Sequence, residues 1–435
     1  MMILRSTSYS VTLYKPNKIY NGFTLFTPLT TIPSNTWLID MQGRFVHRWQ
    51  LPGWVRLQAV LLPTGNLLFG LRDVDYEGPF ADLVWCGGQL VEMDWDGNIV
   101  WRYEEPYADL HDWVRMRNGN TLIQKYVEVP RDIAVRVKGG VPGTERDGAI
   151  LGYALQEISP EGKLVWEWLS YEHLDPDLDV IEPLYCRFMW PGWNSLVELP
   201  DGNIMACSFA TSNIYIINKV KGDIKWRWGQ GIISFPHNPS MLDNGNILVF
   251  DNGRYHVDIW PPDFSRVIEV NPNTNELEWE YKEENPVDFY STYIGGCERL
   301  PNGNTLICEG ARGRFFEVTP SGEMVWEYVV PFYARSVPGA VNFGLSNSVF
   351  RCHRYGPDYP GLQGKKLDPE KLSLWNQLYG PGAFGSPGVR VEGAPIAEKK
   401  VEKKVPQVEY RESKPSIGRP GKEKKVSART KMLGY

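Results

Sequence analysis

The chain is poor in cysteine, with six in 435 residues, so no disulfide framework can stand in for a hydrophobic core. No apolar run approaches the roughly 20 residues that a membrane-spanning helix requires, which excludes a helical membrane protein. The first ten residues, Met-Met-Ile-Leu-Arg-Ser-Thr-Ser-Tyr-Ser, lack the apolar segment of a secretory signal, and on that ground a cytoplasmic location is expected. Histidine is equally scarce, at six. None stands in a closely spaced His/Asp/Glu set, so no catalytic metal is expected. No Gly-rich strand-to-helix phosphate loop occurs, and no cofactor is expected.

Positive charge is also thin over most of the chain. Residues 395–435 carry 12 Lys+Arg against 5 Asp+Glu, whereas the other 394 residues carry 34 against 47. A body of net −13 is a poor nucleic-acid binder, because phosphate contacts need a concentrated basic surface. The segment 395–435, of net +7, has almost no large apolar side chain to bury and is expected to be disordered. We read it as a solvated extension in preference to an arm for an acidic partner or membrane surface.

What the chain has in plenty is 17 Trp, 22 Tyr, 42 Gly and 33 Pro, a mixture that favours many short strands over a helical bundle. One pattern recurs: apolar-x-apolar, a Gly turn, then apolar-x-Trp-x-aromatic. Its copies end at Trp49, Trp101, Trp166, Trp226, Trp279 and Trp326, spaced 47 to 65 residues apart. Between them lies a second hairpin centred on Thr64-Gly65, Asn118-Gly119, Asp201-Gly202, Asn244-Gly245 and Asn302-Gly303, dipeptides that supply the positive φ of a tight turn. Two hairpins per period make a four-stranded unit, and such units bury their faces by radial packing. The fold class is therefore all-β, a six-bladed β-propeller. Its split blade joins the strand at 22–26 to the strand at 347–355, which removes exposed edges. The expected organisation is a lead-in over 1–19, the propeller over 20–362, an extension packed on its outside over 363–394, and the tail.

Counting back seven residues from each inner turn gives the entry positions of the channel: Leu57, His111, Asn194, His237 and Gly295, with Asn347 in the split blade. Regular pairing around a two-residue turn sets His237 opposite Asn252, with Arg254 just beyond, and His111 opposite Tyr126. By the same count Cys297 faces Cys308. Two imidazoles, carboxamides and a guanidinium at one mouth suit an anionic ligand, with a neutral imidazole as nucleophile or base. The two histidines serve either such a site or, as hydrogen-bonded residues, the strand starts themselves. The remaining histidines fall at outer strands, turns or loops.

The runs Gly22-Phe23-Thr24-Leu25-Phe26-Thr27-Pro28, Leu110-His111-Asp112 and Phe235-Pro236-His237-Asn238, the last followed by Phe250-Asp251-Asn252-Gly253-Arg254, resemble the aryl-sulfate sulfotransferase family of prokaryotes. The resemblance covers nearly the whole predicted propeller. It implies transfer of a sulfuryl group from an aryl sulfate to a phenol, without a nucleotide donor, through a transient sulfohistidine. It also implies catalytic roles for His111, His237 and Arg254, with Asn252, Asn194 and Tyr126 contacting substrate. The family's further channel histidine, its nucleophile, has no counterpart at the entry of the later inner strands, Tyr293-Ile294-Gly295-Gly296-Cys297 and Asn347-Ser348-Val349. A propeller that binds without turning over is the alternative. A quinone-cofactor dehydrogenase ranks last, since that architecture has eight blades and a calcium site.

Overall fold

A computed structural model of the chain describes residues 9–29, 34–73, 76–83, 85–254, 263–335, 345–383 and 390–391. The expected disorder of 395–435 concerns residues outside this set. Six antiparallel four-stranded blades make up the fold. Blade 1 orders Val349–Tyr355, Phe23–Pro28, Asn35–Asp40 and Phe45–Gln50, so the two ends of the chain close the ring as expected. Blade 2 follows as Trp54–Leu61, Leu67–Arg72, Gln89–Met93 and Ile99–Glu104, and blade 3 as Val114–Arg115, Thr121–Glu128, Leu151–Ile158 and Leu164–Leu169. Blade 4 comprises Trp193–Glu198, Ile204–Ser208, Asn213–Ile217 and Ile224–Trp228; blade 5, His237–Met241, Ile247–Asp251, Arg266–Val270 and Leu277–Tyr281. Blade 6 comprises Gly296–Arg299, Thr305–Glu309, Arg314–Val318 and Met324–Val329, and its outer edge is extended by Ser10–Tyr14 and Arg390–Val391.

The core is distributed between blades. Phe26 and Trp37 of blade 1 pack with Phe315, Trp326 and Tyr328 of blade 6, and comparable buried clusters fill the other interfaces. Burial of this kind drives radial association, because neither face of an isolated blade is covered. A polar unit repeats across the seams. Glu92, Glu269 and Glu317 on third strands pair with Arg115, Arg299 and Arg354 on the first strand of the next blade, at 2.7, 2.9 and 3.0 Å. Each guanidinium also lies over the Trp of the preceding blade, namely Trp101, Trp279 and Trp326. The indoles of Trp101, Trp166, Trp279 and Trp326 donate onward to backbone carbonyls in the next blade's outer turn, and that of Trp226 to Asn275 Oδ1.

Two register expectations are corrected. The inner Gly turns are three-residue loops, not two: Leu242 N–H donates to Asn246 O, Gly245 N–H donates back to Leu242 O, and Gly245 has φ +84°. Such a loop puts its third residue in the left-handed region, which glycine enters without strain. The regular pairing sums therefore fall by one, and a register shift between His237 and Ser240 takes one more in blade 5. His237 sits opposite Phe250, Cys297 opposite Ile307, and His111 precedes its strand altogether. The six cysteines are free thiols. Trp49 is also displaced. It pairs with Thr36, as Tyr103 pairs with Leu90, so His47 rather than Trp49 occupies the place of Trp101. His47 stacks on Trp95 in the next blade's turn, centroids 3.9 Å apart.

After the closing strand the chain runs back over blade 1. A short helix, Ser373–Tyr379, brings Trp375 edge-on to Trp37 and lets Asn376 bond both the N–H and the carbonyl of Phe45.

Candidate active site

First strands of neighbouring blades touch one another from blade 3 round through blade 1 to blade 2. At the end opposite the Asn-Gly turns, the segments entering first strands and leaving second strands form a mouth. His111, Asn194 and His237 come from the former, Asn252 and Arg254 from the latter.

His237 opens the first strand of blade 5 within an irregular backbone, since Phe235 and Asn238 on either side have φ of 60° and 51°. Its ring is 3 % exposed as a residue. Asn252, wholly buried, donates through Nδ2 to the carbonyls of Ser291 and Ile294 at 2.7 and 3.0 Å. That arrangement turns Asn252 Oδ1 toward His237 Nδ1, 2.7 Å away, and Phe235 O lies 3.1 Å from the same nitrogen. Two acceptors at Nδ1 fix the proton there and leave a lone pair on Nε2. Burial lowers the pKa to about 3, and the positive field of Arg351 acts in the same direction, so the ring is neutral across ordinary pH.

His111 is held differently. Asp109 Oδ1 meets its Nδ1 at 2.6 Å and also accepts its backbone N–H. Asp109 Oδ2 accepts the hydroxyls of Tyr126 and Tyr153 at 2.7 and 3.1 Å. Tyr126 therefore stands behind His111, engaged with Asp109 and with Trp85 Nε1 at 3.0 Å, where sequence pairing had placed it across the mouth. A buried carboxylate on Nδ1 orients an imidazole and supports charge that develops on it.

The next residue, Asp112, knots the channel. Its Oδ2 accepts from Arg351 at 2.8 Å and from Leu196 N–H, while Oδ1 accepts from Gln58 at 2.7 Å. Arg351 also donates to Asn194 O and Ser195 Oγ. Asn194 Nδ2 is spent on Pro236 O, and its buried Oδ1 has no partner among the described residues. Arg254 lies with its guanidinium over the Phe235 ring, 5.1 Å from the centroid.

Phe350 packs beside both histidines, its centroid 6.2 Å from His111 and 6.0 Å from His237. Phe209, Phe235, Tyr185 and Trp85 continue an aromatic wall. Among the described residues no group of three or more His, Cys, Asp or Glu is arranged to hold a metal ion. Sequence reasoning found His111, His237, Asn252, Asn194 and Arg254 near one mouth, and missed Asp109, Asp112 and Arg351. Asp109 is legible two residues before His111; Arg351 lies in the closing strand Val349–Tyr355, far from both histidines in sequence.

Comparisons with known proteins give the chain a family. Residues 74–330, more than half of the chain, match the family model Arylsulfotransferase (ASST). No curated protein matches. Among solved structures the chain is similar to a protein of unknown function from Bacteroides caccae, at 15% identity over 71% of this chain and 93% of that one, with a TM-score of 0.47. It is also similar to a catalytically inactive virginiamycin B lyase from Staphylococcus aureus bound to quinupristin, at 11% identity over 75% and 92%, TM-score 0.40. With the family match spanning the outer half of blade 2 and all of blades 3 to 6, the chain belongs to the arylsulfotransferase family.

Proposed function

We propose that the protein moves a sulfuryl group from an aryl sulfate to a phenol, with His237 as the nitrogen that carries it. One observation supports this above the others: His237 is neutral, its Nδ1–H is locked by Asn252 and Phe235, and its Nε2 lone pair makes no hydrogen bond among the described residues. In the first half-reaction Nε2 forms a bond to sulfur while the sulfur–aryl oxygen bond breaks, the electron pair leaving on the phenolate. The ring then bears positive charge, which the two oxygen acceptors on Nδ1 stabilise. In the second half the acceptor's oxygen attacks sulfur, the nitrogen–sulfur bond returns its pair to Nε2, and the phenol proton passes to His111. Asp109 supports the imidazolium so formed. Arg254 supplies donors for the sulfuryl oxygens, and Phe209, Phe235 and Phe350 supply surface for the aryl ring.

A second reading, a propeller that binds aryl sulfates without turnover, draws on Gly295. At the entry of blade 6 the chain has this glycine, with φ 138°, where a third imidazole would stand. Incubation with 4-nitrophenyl sulfate and phenol separates the two. Phenol-dependent release of 4-nitrophenolate, with label from sulfur-35 substrate retained on the protein and lost in His237→Ala, supports transfer. Saturable binding without release supports the second reading.

A further inference from the structure

Far from the mouth, the extension after the closing strand shapes a cavity of about 460 Å³ against the outer edge of blade 1 and the outer turn of blade 2, a size typical of small-molecule sites. Its walls bring together Lys365, Lys366, Lys371 and Arg48, with Asp96 as the opposing carboxylate. None of the three lysines forms an ion pair among the described residues. Lys365 Nζ instead lies 5.1 Å from the centre of the Trp95 ring. Arg48 is pinned by neutral oxygens, Asn35 Oδ1 at 2.8 Å and Gln50 Oε1 at 3.0 Å, and stacks over Trp375. Its charge is thus positioned and not neutralised. An acidic protein that collects four cations around one hollow, against one carboxylate, gains nothing for folding from their mutual repulsion.

The geometry points to a second ligand site, for a small organic anion bearing phosphate or sulfate groups, seated between the 364–372 segment and the rims of blades 1 and 2. The lysines would meet the tetrahedral oxyanion, and Val46, Leu372 and the edges of His47 and Trp95 its apolar body. His47, in the wall, feels the same cluster. Burial lowers its pKa to about 4, and Lys365 and Lys371 both push it in the same direction, so the positive field is felt within the wall.

The test is calorimetric titration of the full chain with pyrophosphate, inorganic phosphate and inorganic sulfate, beside proton NMR of the His47 ring. Saturable 1:1 binding of at least one anion is expected, weakening with salt. Lys365→Ala with Lys371→Ala should loosen it at least about tenfold, while Lys365→Arg with Lys371→Arg should retain it. Occupancy should raise the His47 pKa, because a bound anion offsets the lysine field. Stronger binding of the phosphates assigns a phosphate ligand and stronger binding of sulfate a sulfated one; either supports the site. No saturation up to about 10 mM, or equal binding by a folded double-alanine variant, overturns it.

Discussion

At His237 the fold withholds a proton from a group that would otherwise take one. The unfolded imidazole titrates near its ordinary value of about 6.5, the folded one at about 3. The stability this residue contributes is therefore fully present above pH 6.5. As pH falls toward 3 it is lost at about 1.4 kcal/mol per unit, since the unfolded chain binds the proton first. Urea unfolding between pH 7 and 4 should show a shallower acid decline in His237→Gln than in the parent; identical slopes would mean that the ring is not buried neutral. For catalysis the same neutrality keeps Nε2 available, so the acid limb of kcat/KM should not track an ordinary histidine at this position. Arg254→Ala should lower turnover by roughly 10²- to 10³-fold, and His237→Ala by at least as much. Asp109→Asn tests positioning. It keeps the shape beside His111 and removes the charge, so kcat should fall about 10²-fold with KM little changed, and the pH profile should move with it.

Glu, cation and Trp recur as a unit at four blade seams, and the seam between blades 4 and 5 shows what can replace it. Blade 4 carries Ile216 where the third strands of blades 2, 3, 5 and 6 carry Glu, and blade 5 carries Met241 where Arg115 and Arg299 stand. Both side chains join the apolar cluster between those blades. Glu269→Ile alone should cost about 2–4 kcal/mol, because Arg299 and the amides of Asn244 and Asn246 lose their acceptor. Paired with Arg299→Met it should recover most of that loss, and a double variant no better than the single one would refute the equivalence of the two seams. The blade pattern was legible in sequence because Trp and Gly turns recur at distances set by strand length. The charged half of the unit was not, since Glu269 and Arg299 look like ordinary solvated charges until adjacent blades are stacked. Register departs from the sequence pattern for local reasons: Asn244-Gly245 has the look of a whole loop, whereas Asp243 belongs to it as well, and an irregularity between His237 and Ser240 adds a second residue. The site followed suit. His111 and His237 were found by their offset from a turn, but Arg351 meets Asp112 across 239 positions of sequence, a distance no local pattern spans.

Closure makes the whole molecule a condition for its own mouth. The closing strand carries Arg354, whose Nε donates to Thr24 Oγ1 and whose Nη1 reaches both Tyr20 O and Glu317, with guanidinium and carboxylate side chains fully buried. Three residues earlier the same strand carries Arg351, which binds Asp112 next to His111 and Ser195 beside Asn194. Loosening the closure should therefore disturb the site as well as the fold. Arg354→Ala leaves Glu317 buried without its partner, a loss of about 3–5 kcal/mol, and it frees the strand that places Arg351. Arg299→Ala breaks the equivalent pair between blades 5 and 6, away from the closure, and serves as the control. Both variants should unfold at lower urea. Only Arg354→Ala should also weaken aryl-sulfate binding under conditions where each variant is still folded by circular dichroism. Equal affinity in the two would show that the mouth is built by the blades individually, and that joining the chain ends serves stability alone.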